Sequence, residues 1–202
     1  MPSLPPFAVT WDYRCPFARN AHEHVLDALE AGVDWDVTFV PFFLNQTHVE
    51  EGELSAFEDP AHVPDLLSLE AGVVVRDRYP DRFLDAHRSL FAARHDEGGD
   101  LRDRSVVSAA LERAGVPAAA VFAEVDDGWP RTTIRKEHEA SADQLDVFGV
   151  PTFIVDDRAA FARLMDRSGG DATVATAAIE RIVSLVSGHP ELNELKHTRV
   201  RR

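Results

Sequence analysis

The hydrophobic pattern of the first 41 residues changes between a strand period and a helix period. Apolar side chains occupy every second position from Phe7 to Trp11, as in a strand with one buried face. From Ala18 to Leu29 they recur at helical spacing, and the pattern ends at Gly32. Alternation returns from Trp35 to Phe39 and stops at Pro41. The order strand, helix, strand predicts a βαβ unit with a parallel pair and a right-handed crossover.

The middle of the chain, from about Glu50 to Gln144, has only helical periods, with acidic loops and Pro or Gly between them. Four apolar helix faces can be traced, over residues 83–94, 106–111, 121–125 and 134–145. This pattern predicts an all-helical lobe inserted after the βαβ unit.

A hairpin and one more helix are predicted after this lobe. Thr152 to Val155 is a short β-rich run, Asp156-Asp157 is a turn signal, and Ala159 to Met165 is the predicted partner strand. Asp171 is a suitable cap for a last amphipathic helix that ends at Gly188. The predicted class is therefore α/β, with one domain divided into a βαβ part (1–49), a helical insertion (50–145), a ββα part (146–190) and a polar tail (191–202).

Composition and charge restrict the partners. The 202 residues are 45% hydrophobic, and 35 acidic residues against 21 Lys and Arg give a formal net charge of -14. This charge repels nucleic acids and anionic membranes, so neither is an expected partner. The sequence shows no targeting signal and no apolar run long enough to span a bilayer, and we therefore expect a cytoplasmic protein.

The single cysteine is the strongest chemical signal. Cys15 lies at the predicted junction of strand and helix, and Pro16 follows at a position suited to the first helical residue. Unpaired N–H groups and the helix dipole favour a thiolate there, so we expect the pKa of Cys15 to lie below that of a free cysteine. A lone cysteine is more often a buried core residue, but the carboxyl end of a parallel strand is where open α/β sheets bind ligands.

Three features of the sequence carry a family resemblance: Cys15-Pro16-Phe17-Ala18, the long helical insertion, and the late segment Phe148-Gly149-Val150-Pro151-Thr152-Phe153. In these features the chain resembles the DsbA-like thioredoxin family. The resemblance implies a thioredoxin fold with an inserted helical lobe, a catalytic Cys15, and a cis peptide bond before Pro151 that faces the thiol. It also implies substrate contacts from Pro16, Phe17, Ala18, Val150, Pro151 and Thr152.

The chain departs from that family at Ala18, where typical members have a second cysteine. Without a resolving thiol, Cys15 is restricted to monothiol chemistry. We expect no tightly bound cofactor, but a low-molecular-weight thiol such as mycothiol or glutathione as cosubstrate, and a small electrophile or disulfide as substrate. Three segments are similar to an actinobacterial, mycothiol-linked branch: Leu44-Asn45, Arg135-Lys136 with His138, and residues 194–199.

Two histidines are candidates for substrate contacts. His138 lies on the apolar face of its predicted helix, where a core role is the more common one, and His95 lies at a helix end from which it could reach the thiol. His22 is expected to pack in the core. No group of residues has convincing metal-ligand spacing.

The sequence also suggests the walls of a substrate pocket. Four phenylalanines are expected to line a cleft between the Cys15 loop and the lobe: Phe17, Phe42, Phe43 and Phe91.

Three functions remain open at this point. The first is a monothiol oxidoreductase. The second is a transferase or isomerase similar to the kappa-class glutathione transferases and hydroxychromene carboxylate isomerases, which activates a bound thiol. The third is a redox-silent binding module. The sequence does not indicate the oligomeric state.

Overall fold

Residues 4–199 are described in the computed structural model of the chain, and they contain one sheet and a set of helices. The strands are β1 (Phe7–Trp11), β2 (Val37–Pro41), β3 (Thr152–Val155) and β4 (Arg158–Phe161). The α-helices are α1 (Pro16–Glu30), α2 (Leu67–Arg78), α3 (Phe83–His95), α4 (Arg104–Arg113), α5 (Ala118–Asp127), α6 (Trp129–Leu145) and α7 (Ala172–Gly188). Short 3₁₀ turns span Leu44–His48, Val63–Leu66 and Pro80–Arg82.

The four strands form a mixed sheet in the order β2-β1-β3-β4. β1 pairs parallel with β2, from Phe7 opposite Val37 to Trp11 opposite Pro41, and antiparallel with β3. β4 pairs antiparallel with β3 as the second strand of a hairpin. The predicted thioredoxin fold, a βαβ unit joined to a ββα unit, is confirmed.

Helix α1 begins where the sequence predicts it. Cys15 has extended backbone angles and caps the helix, and Pro16 occupies the first turn, where a missing N–H is tolerated. Helix α7 begins similarly, because the carboxylate of Asp171 accepts hydrogen bonds from the backbone N–H groups of Thr173 and Val174. The two helices pack against each other, and α7 also packs against β3 and β4.

The helical lobe shares one hydrophobic core with the sheet. α3 packs on α1 and α6 packs on β2, and the buried apolar side chains form a continuous cluster. α2 has no traceable apolar face in the sequence, because all residues from Leu67 to Val75 are buried. The buried residues include the polar Ser68 and Glu70, so polar and apolar positions do not separate onto two faces and periodicity cannot locate this helix.

The second hairpin strand is shorter than the sequence suggests. β4 ends at Phe161, and not at Met165, because the following residues turn toward α1. There the side-chain amide of Asn20 donates hydrogen bonds to the carbonyl oxygens of Leu164 and Met165, at 2.9 and 3.1 Å. This turn places residues 162–165 beside the start of α1.

A chain of buried hydrogen bonds joins β1, α1 and α3. The Thr10 carbonyl lies 3.1 Å from Nε2 of His22, whose Nδ1 lies 2.9 Å from Nε2 of His87, and Nδ1 of His87 lies 2.8 Å from the Tyr13 hydroxyl. Because a carbonyl only accepts, His22 donates to Thr10, His87 donates to His22, and Tyr13 donates to His87. Burial lowers the pKa of His22 to about 4 and that of His87 well below its usual value, so both rings are neutral at pH 7.

We predict that the protein loses stability between about pH 6.5 and pH 4. The unfolded chain binds a proton at His22 in this window and the folded chain does not, so the free energy of unfolding falls as the pH falls. The loss for His22 alone is about 3 kcal/mol by pH 4. The raised pKa values of the buried Asp12 and Glu70 oppose part of it, because these carboxyls take up protons more readily in the folded state.

Urea unfolding at several pH values measures this effect. His22→Gln removes one titrating ring and is expected to weaken the pH dependence, whatever its effect at pH 7. Part of the dependence remains because His87, His95 and His138 still contribute through their lowered pKa values. His48→Gln keeps the full dependence. Equal pH dependence in His22→Gln and the unchanged protein would contradict the prediction.

Candidate active site

The Cys15 thiol lies between the first turn of α1 and the loop before β3. Its Sγ is 3.4 Å from the backbone N–H of Ala18, which donates to it, and 3.4 Å from the carbonyl oxygen of Val150, to which the S–H donates. Only 8% of the residue is exposed. The thiol thus contacts both halves of the thioredoxin part.

The segment opposite the thiol is held by threonine hydroxyls. The Val150–Pro151 peptide bond is cis. The Thr152 hydroxyl donates to the Gly149 carbonyl at 2.8 Å, and the Thr152 N–H donates to the Thr10 hydroxyl at 2.9 Å. Since Thr10 belongs to β1, these bonds connect the segment to the strand that leads into Cys15.

The expected low pKa of Cys15 is wrong. Burial raises the pKa of the thiol, and the N–H groups of Ala18 and Phe17 offset only part of this effect. The Asp12 carboxylate raises the pKa further and the Arg163 guanidinium lowers it. The start of the helix favours the thiolate, but burial removes the sulfur from water and favours the neutral thiol, and only the tertiary structure reveals this burial.

Asp12 is a site residue that the sequence analysis missed. Its buried carboxyl accepts hydrogen bonds from the backbone N–H groups of Arg14, at 2.9 Å, and Leu44, at 3.1 Å. Burial raises the pKa of Asp12 despite these bonds. An Asp three residues before the cysteine is a recognisable Asx-turn signal in sequence, but its bond to Leu44 depends on the fold.

Two further contacts hold the loop that precedes Cys15. Nε2 of His95 lies 2.9 Å from the Tyr13 carbonyl, so the ring supports the loop backbone. The Arg14 guanidinium binds Asp65 at 2.8 Å and the Asn45 side-chain oxygen at 3.0 Å. His95 was expected to reach toward the thiol, and its observed hydrogen bond is to the loop beside it.

His138 lies in the core. Its ring packs on Phe42, with 4.1 Å between ring centroids, and on Phe57. Burial lowers the pKa of His138 to about 4. Within residues 4–199 no hydrogen bond joins His138 to Cys15 or Val150, so its predicted substrate contact has no support in this arrangement.

The predicted aromatic pocket is also wrong in three of its four walls. Phe42, Phe43 and Phe91 are fully buried in the core, because the lobe packs directly on the sheet and leaves no open cleft there. Phe17 alone of the four is half-buried, and it lies beside the thiol in the first turn of α1. Pro16 is exposed, and Ala18, Val150, Pro151 and Thr152 are buried around the thiol.

Two clefts in the described part of the surface are lined mostly by polar and charged residues. One of about 430 Å³ is lined by Asn45, His48, Val49, Glu53, Leu54, Asp59 and His62. Another of about 310 Å³ is lined by Arg14, Asp65, Arg94, Asp100, Leu101 and Arg102. In the described part of the chain no three His, Cys, Asp or Glu side chains are close enough to hold a metal ion, and no helix is long and apolar enough to cross a membrane.

Comparison with known proteins agrees with this geometry. Residues 72–169 match the family model described as "DSBA-like thioredoxin domain", a segment that covers most of the lobe and the hairpin and ends before α7. The match does not include the Cys15 loop. No curated protein sequence matches the chain significantly.

Several solved structures have a similar fold. DsbA of Pseudomonas aeruginosa is 17% identical, with a TM-score of 0.54, and the match covers 91% of this chain and 88% of that one. MdbA, a thiol-disulfide oxidoreductase from Actinomyces oris, is 19% identical, with a TM-score of 0.58 and coverage of 87% and 81%. A 2-hydroxychromene-2-carboxylate isomerase is 14% identical, with a TM-score of 0.59 and coverage of 90% and 97%.

The fold and the cysteine at the start of α1 define a thioredoxin-fold protein. The partial family match, over residues 72–169, and the similar solved structures narrow this fold to the DsbA-like form of the thioredoxin fold.

We predict that the alkylation rate of Cys15 rises with pH through a pKa above that of a free cysteine. Iodoacetamide labelling across a pH series, followed by mass spectrometry, measures this value without interference, because the chain has one cysteine. Asp12→Asn removes a nearby negative charge and is expected to move the profile to lower pH.

Asp126→Asn is the matched control, because it makes the same change of charge at an exposed position of α5 that contacts Arg104. It should leave the profile in place. If the alkylation of the unchanged protein gave an apparent pKa below that of a free cysteine, the helix terminus would outweigh burial and the prediction would be wrong.

Proposed function

We propose that the protein is a monothiol oxidoreductase in which Cys15 forms a mixed disulfide with a low-molecular-weight thiol, mycothiol or glutathione. The observation that supports this most directly is the position of Ala18. Its N–H donates to the Cys15 sulfur from the first turn of α1. By the family resemblance, this is the position at which a resolving cysteine would lie. A mixed disulfide at Cys15 therefore has no intramolecular route to resolution.

The reaction uses two molecules of the small thiol, one of which is already joined to the substrate by a disulfide bond. The Cys15 thiol first loses its proton to solvent, and the thiolate attacks the small-thiol sulfur of that disulfide. A mixed disulfide between Cys15 and the small thiol forms, and the substrate leaves as a thiolate. A second small thiol then attacks the mixed disulfide, which releases a new small-molecule disulfide and returns Cys15 to its reduced form. The reaction exchanges disulfide bonds and needs no other oxidant or reductant.

A raised pKa is compatible with this chemistry. Fewer molecules carry the thiolate at pH 7, but each thiolate is a stronger nucleophile because nucleophilicity rises with pKa. The Ala18 N–H donates to the sulfur and favours the thiolate, which is the attacking form. We also propose that the protein acts in the cytoplasm, where such small thiols are abundant.

One observation favours a second candidate function. The S–H of Cys15 donates to the Val150 carbonyl, and burial stabilises the protonated form. A thiol held in this form can donate a hydrogen bond to a bound thiolate cosubstrate, as a transferase or isomerase that activates glutathione or a similar thiol would require.

Incubation with glutathione disulfide, followed by intact-mass spectrometry, tests the proposal. We expect one glutathione adduct on Cys15 that excess reduced thiol removes, and the same behaviour with mycothiol disulfide. Cys15→Ser should gain no adduct. Turnover by Cys15→Ser in the presence of added thiol would support the transferase instead, and absence of any adduct would support a redox-silent binding module.

We predict that Ala18→Cys converts the site to dithiol chemistry. Two cysteines three residues apart at the start of a helix are close enough to bridge, so the variant should resolve its own mixed disulfide and form an internal one. Loss of both free thiols under mild oxidation, with no adduct mass, measures this conversion, and insulin reduction assays report the gained exchange activity.

Ala21→Cys is the control, because Ala21 is also fully buried in α1 but lies six residues from Cys15. It should keep the glutathione adduct. An Ala18→Cys protein that also keeps the adduct would argue against thioredoxin-like geometry at this loop.

A further inference from the structure

Arg163 lies between two aromatic rings next to the candidate active site. Its guanidinium carbon is 5.1 Å from the ring centre of Phe17, two residues after the reactive cysteine, and 5.8 Å from that of Phe161, the last residue of β4. The Asn20 hydrogen bonds that turn the chain after β4 bring Arg163 to this position. A guanidinium stacked on rings keeps its N–H edge available for an anion.

Arg163 also has no acidic partner within residues 4–199. Most other arginines of this acidic protein form ion pairs, among them Arg14 with Asp65, Arg88 with Asp27 and Arg167 with Glu23. The Arg163 guanidinium forms neither an ion pair nor a hydrogen bond with any described residue and is held only by the rings. The positive charge of Arg163 lowers the pKa of the Cys15 thiol, although burial, the backbone N–H groups and Asp12 have larger effects on that pKa.

An exposed aromatic surface continues from this arginine. Phe148 is 68% exposed and Phe161 is 37% exposed, and their ring centroids are 5.3 Å apart. Phe148 precedes Val150, whose carbonyl contacts the thiol, by two residues. Cys15, Arg163 and the two rings therefore lie along one face of the molecule.

We propose that this face, formed by Phe17, Phe148, Phe161 and Arg163, binds a small aromatic substrate that carries a carboxylate. The aromatic group packs on Phe148 and Phe161, the carboxylate binds the Arg163 guanidinium, and the reacting sulfur lies at Cys15. This inference rests on the proposed thiol-disulfide exchange at Cys15 and specifies the class of disulfide that the site prefers.

Two features favour a small anionic molecule over other occupants. Since only 8% of Cys15 is exposed, a thin planar group reaches the sulfur more easily than the surface of a folded protein. The net charge of -14 repels anions from most of the surface. The unpaired Arg163 guanidinium is a positive charge that attracts an anion to this face.

Two aromatic disulfides make the test specific. Dithiobis(nitrobenzoic acid) carries a carboxylate on each ring, and dithiodipyridine is neutral at pH 7.5. In both reactions the Cys15 thiolate attacks one sulfur, a mixed disulfide forms, and a coloured aryl thiolate or thione is released. The release rate is measured by stopped-flow absorbance on the full-length protein.

We expect Arg163→Gln to slow the reaction with the carboxylate reagent about fivefold and to change the reaction with the neutral reagent less than twofold. Arg163→Lys should lie between Arg163→Gln and the unchanged protein. Added salt should slow the carboxylate reaction of the unchanged protein more than that of Arg163→Gln. Arg181→Gln removes an exposed arginine of α7 and should leave both rates unchanged.

The ratio of the two rates separates the possible outcomes. Equal slowing of both reactions would show that Arg163 acts only on the thiol or on the local fold, and unchanged rates would show that it does not bind the carboxylate; either result overturns the inference. If neither reagent forms a mixed disulfide that small thiols reverse, the proposed exchange activity fails, whatever the effect of Arg163.

Discussion

The antiparallel pairing of β1 with β3 is the contact on which the site depends. It brings together Cys15 and Val150, which are 135 positions apart in sequence, so that the thiol meets the carbonyl before the cis-proline. Thr10 strengthens this pairing from within β1, because its hydroxyl accepts the Thr152 N–H. Without this pairing, the cysteine would only cap a helix and would have no opposing segment to present a substrate.

Two opposing effects of the fold set the pKa of the Cys15 thiol: backbone N–H groups lower it and burial raises it. The fold that surrounds Cys15 with N–H donors also removes it from water, and the loss of solvation favours the neutral thiol. The buried Asp12 adds to this effect because its carboxylate is fixed nearby by the N–H groups of Arg14 and Leu44. Together these effects favour the protonated Cys15 thiol over the thiolate.

The helical lobe contributes to the site by supporting its loop. Tyr13 donates to His87 of α3, and His95 of the same helix donates to the Tyr13 carbonyl. Gly72 of α2 leaves room for this tyrosine, since a Cβ there would lie 2.5 Å from its hydroxyl oxygen. The lobe and the loop are thus packed as one body, which explains why three of the four phenylalanines expected to line a cleft are instead core residues.

The sequence alone determined the elements that depend on local chemistry. Alternation predicted β1 and β2, Pro16 and the capping position predicted the start of α1, and the turn signal at Asp156-Asp157 predicted the hairpin. These features are set by neighbouring residues, so they can be read along the chain. Tertiary structure decided the rest, because the properties in question depend on groups far apart in sequence. Burial reversed the expected shift in the Cys15 pKa, and burial on all sides from Leu67 to Val75 removed the helical period from α2. The turn after β4 placed Arg163 against Phe17 although 146 positions separate them in sequence.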